Sequence, residues 1–170
     1  MKCNERDDSM NTFEFAINME LDGEKYYTGQ AEMNEGNSLK TVFLMLAKDE
    51  RNHSEILKKK QQGLSCDLKA GNTLSESENV FKGIGDFKND IRQTPNQLEL
   101  YRAALGKEKQ SIDLYEGFLL QAADDKSKEL FEYLIKQEED HLAVIEELVT
   151  LINRADEWVE SAEFGIRQDY

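Results

Sequence analysis

Apolar residues recur at helical spacing along four stretches of the chain, separated by polar or glycine-bearing segments. Phe13, Ile17 and Leu21 open the first, and Asn11 with Glu14 three residues later reads as its start. This helix is predicted over about 12–33 and stops at the turn Asn34-Glu35-Gly36-Asn37. Ser38 is placed to cap a second helix over about 38–62, which carries Leu39, Val42, Phe43, Leu46, Ala47, Ile56 and Leu57 and ends near Gly63. Periodicity fails over 63–94, through Gly63, Gly71, Gly83 and Gly85 and the mostly polar run Asn72 to Asn79. A long crossover is predicted there, with one short helix around Val80 to Phe87. Thr94-Pro95-Asn96-Gln97 offers a cap, a proline at the first helical position and a capping-box glutamine, so a third helix is expected over about 95–122. After the turn Ala123-Asp124-Asp125 a fourth helix, over about 125–153, carries Leu130, Phe131, Leu134, Ile135, Leu142, Ile145 and Leu148. Residues 154–170, with Trp158 and Phe164, form a short C-terminal extension of a helical turn or two.

Two helical hairpins joined by a long connection describe an all-α four-helix bundle with one crossover. A length of 170 residues suits a single domain over 1–170, and one proline among them agrees with long uninterrupted helices. The formal net charge of −14 repels phosphate backbones and anionic headgroups, so neither nucleic acid nor a membrane surface is an expected partner. No apolar run approaches the roughly 18 residues of a membrane span, and Met1 to Met10 is too polar for a signal peptide, so a cytoplasmic location is expected. Cys3 and Cys66 are far apart and form no Cys-x-x-Cys pair, which argues against a disulfide scaffold or a zinc ribbon. Ser54 and Ser111 have no partner base, so nucleophilic catalysis is not indicated.

The candidate chemistry lies in a repeat. The chain has two histidines, His53 and His141, each three residues after a glutamate, Glu50 and Glu138. Thirty residues before each of those glutamates stands another, Glu20 and Glu108, and seven residues after these stand Tyr27 and Tyr115. Subtracting 20 from 108, 27 from 115, 50 from 138 and 53 from 141 gives 88 each time, the signature of a duplicated hairpin. The midpoints of the two glutamate pairs fall at Glu35 and Ala123, in the two turns, so each hairpin brings its glutamates to one level. His53 and His141 share a helix face with Glu50 and Glu138 one turn away.

All four glutamates interrupt apolar stripes that should face the core, among them Ala16 and Ile17, Leu46 and Ala47, Ala104 and Leu105 with Ile112, and Leu134 and Leu142. A buried carboxylate costs several kcal/mol unless it is paired, and no Lys or Arg lies on these stripes nearby. Metal is the remaining compensating charge. Four carboxylates and two imidazoles balance two divalent ions, and this mixture of oxygen and nitrogen favours iron or manganese over calcium. One glutamate from each of two helices with Glu-x-x-His from the other two is the ligand pattern of ferritin-like di-metal carboxylate bundles.

The stretches AINMELDGEKYYTGQA, FLMLAKDERNHSEIL, ALGKEKQSIDLYEGFL and FEYLIKQEEDHLAVIEEL resemble the four helices of the ferritin-like domain of the rubrerythrin family, over roughly residues 12–152. The resemblance implies metal ligation by Glu20, Glu50, His53, Glu108, Glu138 and His141, with two iron ions, or manganese or a mixed pair, as cofactor. Two departures stand out. The four-cysteine rubredoxin-like module of rubrerythrins proper is absent, and Ser111 stands where the family offers a further glutamate three residues after the third-helix ligand.

The expected function is that of a non-haem di-iron oxidoreductase reacting with hydrogen peroxide or dioxygen in oxidative-stress defence, with Glu20, Glu50, Glu108, Glu138, Tyr27 and Tyr115 as the candidate reactive set. For Tyr27 and Tyr115, packing with a satisfied hydroxyl is an equal alternative. Lacking its own cysteine module, such a protein needs an external electron donor such as a rubredoxin, and a homodimer is expected. Two other functions fit the same residues: oxidation of ferrous iron for storage or delivery, and a structural bundle that metals merely staple.

Overall fold

The computed structural model describes the backbone of residues 5–84 and 96–164 and the side chains of residues 12–84 and 96–154. Every regular element among them is a helix: α1 (Glu5–Met33), α2 (Leu39–Gln61), α3 (Thr73–Gly83), α4 (Gln97–Gln121) and α5 (Asp125–Phe164). α1 packs along α2 and α4 along α5, each pair joined by a short turn, and α3 lies across α2 and α5. The fold is the all-α bundle of two hairpins with a long crossover that the apolar pattern predicts.

The helix ends show where local chemistry departs from expectation. α1 begins at Glu5, so Asn11 is inside the helix rather than capping it. Ser38 precedes α2 but its side chain makes no cap; Asn37 does, its Oδ1 accepting from the Leu39 amide at 2.9 Å. Gly63 closes α2 with φ at 71°, the Gly63 amide donating to the Lys60 carbonyl at 3.0 Å and the Leu64 amide to that of Lys59 at 2.9 Å. That left-handed stop is the conformation glycine adopts without steric cost. The crossover helix spans Thr73 to Gly83, starting seven residues before the expected Val80, because Thr73, Ser77 and Phe81 form a buried stripe within what reads as a polar run; Gly85 to Phe87 of the expected helix lie outside the described residues. The expected cap Thr94 and helix-opening Pro95 lie outside the described residues, and α4 starts at Gln97 after Asn96 at φ 66°. α5 does not stop near Asn153 but continues to Phe164, so residues 154–164 of the expected extension are part of the helix; residues 165–170 and the Trp158 and Phe164 side chains lie outside the described residues.

The core divides into two clusters. One gathers Tyr27, Leu39, Val42, Phe43, Leu46, Tyr101, Val144, Ile145 and Leu148. The other gathers Ala16, Ile17, Ile56, Leu57, Tyr115, Leu130, Phe131 and Leu134, bordered by the stacked pair Phe13 and Phe118 with ring centroids 5.4 Å apart. Burial of this apolar surface drives the helices together, at roughly 25 cal/mol per Å² removed from water. Leu105, Ile112, Ile135 and Leu142, expected on core-facing stripes, are half-buried. The register of the repeat extends well beyond its glutamates: Ala16, Glu20, Gly23 and Tyr27 of α1 correspond at 88 residues to Ala104, Glu108, Ser111 and Tyr115 of α4. No helix among the described residues is long and apolar enough to cross a membrane.

Candidate metal centre

Between the two apolar clusters the four helices bring Glu20, Glu50, His53, Glu108, Glu138 and His141 together, none more than 4% exposed. Their donor atoms fall into two overlapping groups. Glu20, Glu50, His53 and Glu138 place one donor each within 4.8 Å of one another, and Glu50, Glu108, Glu138 and His141 do the same. Glu50 and Glu138 belong to both groups, while Glu20 with His53 and Glu108 with His141 lie at the two ends. The imidazoles cross between hairpins: His53 Nδ1 is 2.8 Å from Glu138 Oε1, and His141 Nδ1 is 3.0 Å from Glu50 Oε1. Their rings are nearly parallel, 5.5 Å apart.

A protein-only account leaves this cluster unsatisfied. Glu20 Oε2, both carboxylate oxygens of Glu138 and both ring nitrogens of His53 are buried without a well-aligned hydrogen bond, although His53 Nδ1 lies close to both carboxylates. Buried polar atoms are normally paired, and no lysine or arginine is among the buried residues described. Converging orphaned oxygens and a ring nitrogen are what a cation would satisfy, so the residues present fit two divalent metals.

The electrostatics divide the carboxylates in the same way as the geometry. Without metal, burial and then the charge of Glu20 push the Glu50 carboxyl well above the usual carboxylate range, and burial, Glu20 and Glu108 do the same to Glu138. Burial also opposes ionisation of the end carboxylates, but hydrogen bonds outweigh it and both stay below the usual range, Glu20 through His53 and Glu50, Glu108 through His141 and Glu138. Burial would depress the His141 imidazole, yet its hydrogen bonds to Asp49, Glu108 and Glu50 raise it well above its ordinary value. The two shared carboxylates are thus the ones that most need a metal to lose their protons.

Tyr27 and Tyr115 are buried and each hydroxyl donates to an end carboxylate, Tyr27 to Glu108 and Tyr115 to Glu20. The tyrosine seven residues after one glutamate therefore serves the glutamate of the other hairpin. Burial first, then Glu108 for Tyr27 and Glu20 for Tyr115, lifts both phenols well above their ordinary range, so both stay protonated donors.

Three contributing residues escape a reading by ligand spacing. Asp49 Oδ2 lies 3.4 Å from His141 Nε2 and accepts from the Thr73 hydroxyl at the start of α3. Gly23 lies so near the cluster that a Cβ there would stand 2.7 Å from Glu50 Oε2. The 88-residue offset pairs Gly23 with Ser111 and Asp49 with Gln137, and that comparison could have singled them out. Gly23, Ser111, Met19 and Lys107 wall a cavity of about 210 Å³ between α1 and α4 that reaches Glu50 and Glu108. Ser111 Oγ points to Met19 Sδ at 3.7 Å.

Comparisons with curated proteins and with solved structures gave no significant match. The family model for rubrerythrin matches residues 11–149, a span that contains all four carboxylates, both histidines and both tyrosines of the cluster. On that match and on its helical bundle, the chain belongs to the rubrerythrin family.

Proposed function

We propose that the chain is a non-haem di-iron oxidoreductase that reduces hydrogen peroxide or dioxygen, in the manner of a peroxide- or oxygen-scavenging protein. The observation that carries this reading is the pair of four-residue groups sharing Glu50 and Glu138. Glu50 and Glu138, common to both groups, would serve both metal positions, with Glu20 and His53 completing the first group and Glu108 and His141 the second. Paired ferrous ions would supply two electrons, converting one peroxide and two protons into two waters. An external donor such as a rubredoxin would return those electrons.

The protein's own contributions are positional. Tyr27 and Tyr115 hold Glu108 and Glu20 in place by donating to one oxygen and leaving the other for metal. The two apolar clusters exclude bulk water above and below the cluster. The cavity between α1 and α4 admits a small neutral oxidant, which the net negative charge does not repel. Ser111, smaller than glutamate, leaves the α4 side of that approach free.

Anaerobic loading with ferrous iron followed by peroxide tests this. About two irons per chain are expected, with peroxide consumed and a rise in near-ultraviolet absorbance as the iron oxidises. Loaded protein that stays spectroscopically silent with both peroxide and oxygen would refute the redox reading.

A further inference from the structure

The ligands repeat at 88 residues, but the groups behind the two histidines do not. His141 presents Nδ1 to the carboxylates and Nε2 to Asp49, whose Oδ2 is 3.4 Å away. Asp49 is held by Thr73, which donates to the same oxygen from the first residue of α3. The residue that corresponds to Asp49 behind His53 is Gln137, a neutral amide. Its side chain is turned toward the crossover, where Gly71 leaves it room: a Cβ at Gly71 would stand 2.3 Å from Gln137 Oε1. His53 Nε2 remains buried with no partner.

We propose that the two metal positions are inequivalent and fill in order, the Glu108–His141 position first, with Asp49 as the positioning residue responsible. This rests on the di-metal reading above. An imidazole that binds metal through Nδ1 must carry its proton on Nε2. A carboxylate accepting that proton fixes the tautomer, holds the ring plane and strengthens the donor. His141 has such an acceptor and His53 does not. Even a rotated Gln137 could offer only an amide oxygen, without net charge. The asymmetry originates in the crossover, because α3 brings Thr73 to Asp49 and the segment before it draws Gln137 away.

Outer partners of this kind are typically worth 10- to 100-fold in metal affinity. Titration of the metal-free full-length chain with manganese(II), following the free ion by its paramagnetic resonance, should show two steps whose affinities differ by about that factor. D49N should weaken the tight step by about 10- to 100-fold and leave the weak step nearly unchanged, so that the steps converge. Q137E should tighten the weak step. H53A should retain the tight step and H141A should lose it, which locates the steps. Damage to the bundle would weaken both steps together, so circular dichroism melts of D49N and the separate response of each step exclude a merely structural effect. Two wild-type ions bound with equal affinity, or D49N changing both steps alike or neither, would overturn the proposal while leaving the di-metal reading standing. Failure to bind manganese or ferrous iron at all would overturn both.

Discussion

Where α1 meets α4 the carboxylate cluster borders a cavity walled by Met19, Gly23, Lys107 and Ser111, whereas where α2 meets α5 it is backed by two imidazoles, Asp49 and the crossover chain. Each face is built from helices related by the 88-residue repeat, so the repeat alone would make both faces symmetric. On the open side the corresponding pairs are Met19 with Lys107 and Gly23 with Ser111, modest or flexible side chains that leave space. On the closed side the crossover has no counterpart in the duplication, and it covers the outer face through three contacts. Thr73 bonds Asp49, Gly71 packs on Gln137, and the Tyr133 hydroxyl donates to the Lys69 carbonyl at 2.9 Å. Duplication explains the ligand set, while the unduplicated segment decides which side is sealed.

The largest expected effect comes from removing what both faces surround. Metal-free protein should melt about 10 °C below loaded protein near pH 8, since tight binding to the folded state adds a few kcal/mol. The sign with pH should also reverse. Glu50 and Glu138, ordinarily near 4.5, and His141, ordinarily near 6.5, are raised in the fold. Their stabilising contribution is full below those ordinary values and is lost as pH climbs through the raised ones. Glu20 and Glu108, both lowered, contribute above 4.5 and lose that contribution only in acid. Metal-free protein should therefore lose stability as pH rises above the ordinary histidine value of 6.5, while loaded protein should instead weaken toward acid as protons displace metal. Differential scanning calorimetry on both sides of that value, with and without ferrous iron, checks both slopes; a metal-free melting temperature that rises with pH above it would contradict the carboxylate crowding.

A second variant acts on the open face alone. Glycine inside a helix costs about 1 kcal/mol relative to alanine, so Gly23 in the middle of α1 is retained at a cost that the adjacent carboxylate explains. Gly23→Ala puts a methyl 2.7 Å from Glu50 Oε2 and forces that carboxylate to move. The metal-free protein should melt no lower than wild type and up to about 1 kcal/mol more stably, while metal affinity falls about tenfold, as for a displaced ligand. Unchanged affinity by metal titration would show that Glu50 is free to shift without consequence.

How much of this was legible in the sequence depends on the scale of the interaction. The ligand set and its level in each hairpin could be read because they follow helical period and turn position, which are properties of the chain near each residue. The role of Tyr27 could not, since spacing associates it with Glu20 whereas packing brings it to Glu108. The early start of the crossover helix was hidden for a related reason: Thr73 and Ser77 are buried because α2 and α5 lie beneath them, and polar side chains give no apolar signal of that. Asp49 beside Glu50 reads as one more acidic residue until α3 and His141 meet it.

The tyrosines then provide a control in which both halves should respond alike. Tyr27→Phe and Tyr115→Phe each remove a donor to an end carboxylate without changing the buried ring. A hydrogen bond to a charged group contributes about 1.5–3 kcal/mol, so each variant should lose stability and metal affinity within that range. Equality between the two would mark the interior of the centre as symmetric even though its outer face is not. A loss confined to one of them, measured by denaturant unfolding and metal titration, would move the asymmetry inward from the crossover.

The smallest effect is expected at the contact that links the crossover to the centre. Thr73→Ala removes the hydroxyl that donates to Asp49 and leaves the methyl-sized remainder in the same buried pocket. Global stability should fall by about 1.5 kcal/mol, the low end for a hydrogen bond to a charged group, because Asp49 is partly exposed. Asp49 would keep His141 as its other partner at 3.4 Å, so the loss should be partial rather than complete. The effect on metal should be correspondingly mild, a few-fold weakening of the tight step with the weak step untouched. Thr73→Ser, which restores the donor, should recover both measurements. If Thr73→Ala lowers stability without moving the tight step, then α3 merely closes the bundle and Asp49 holds its place without it.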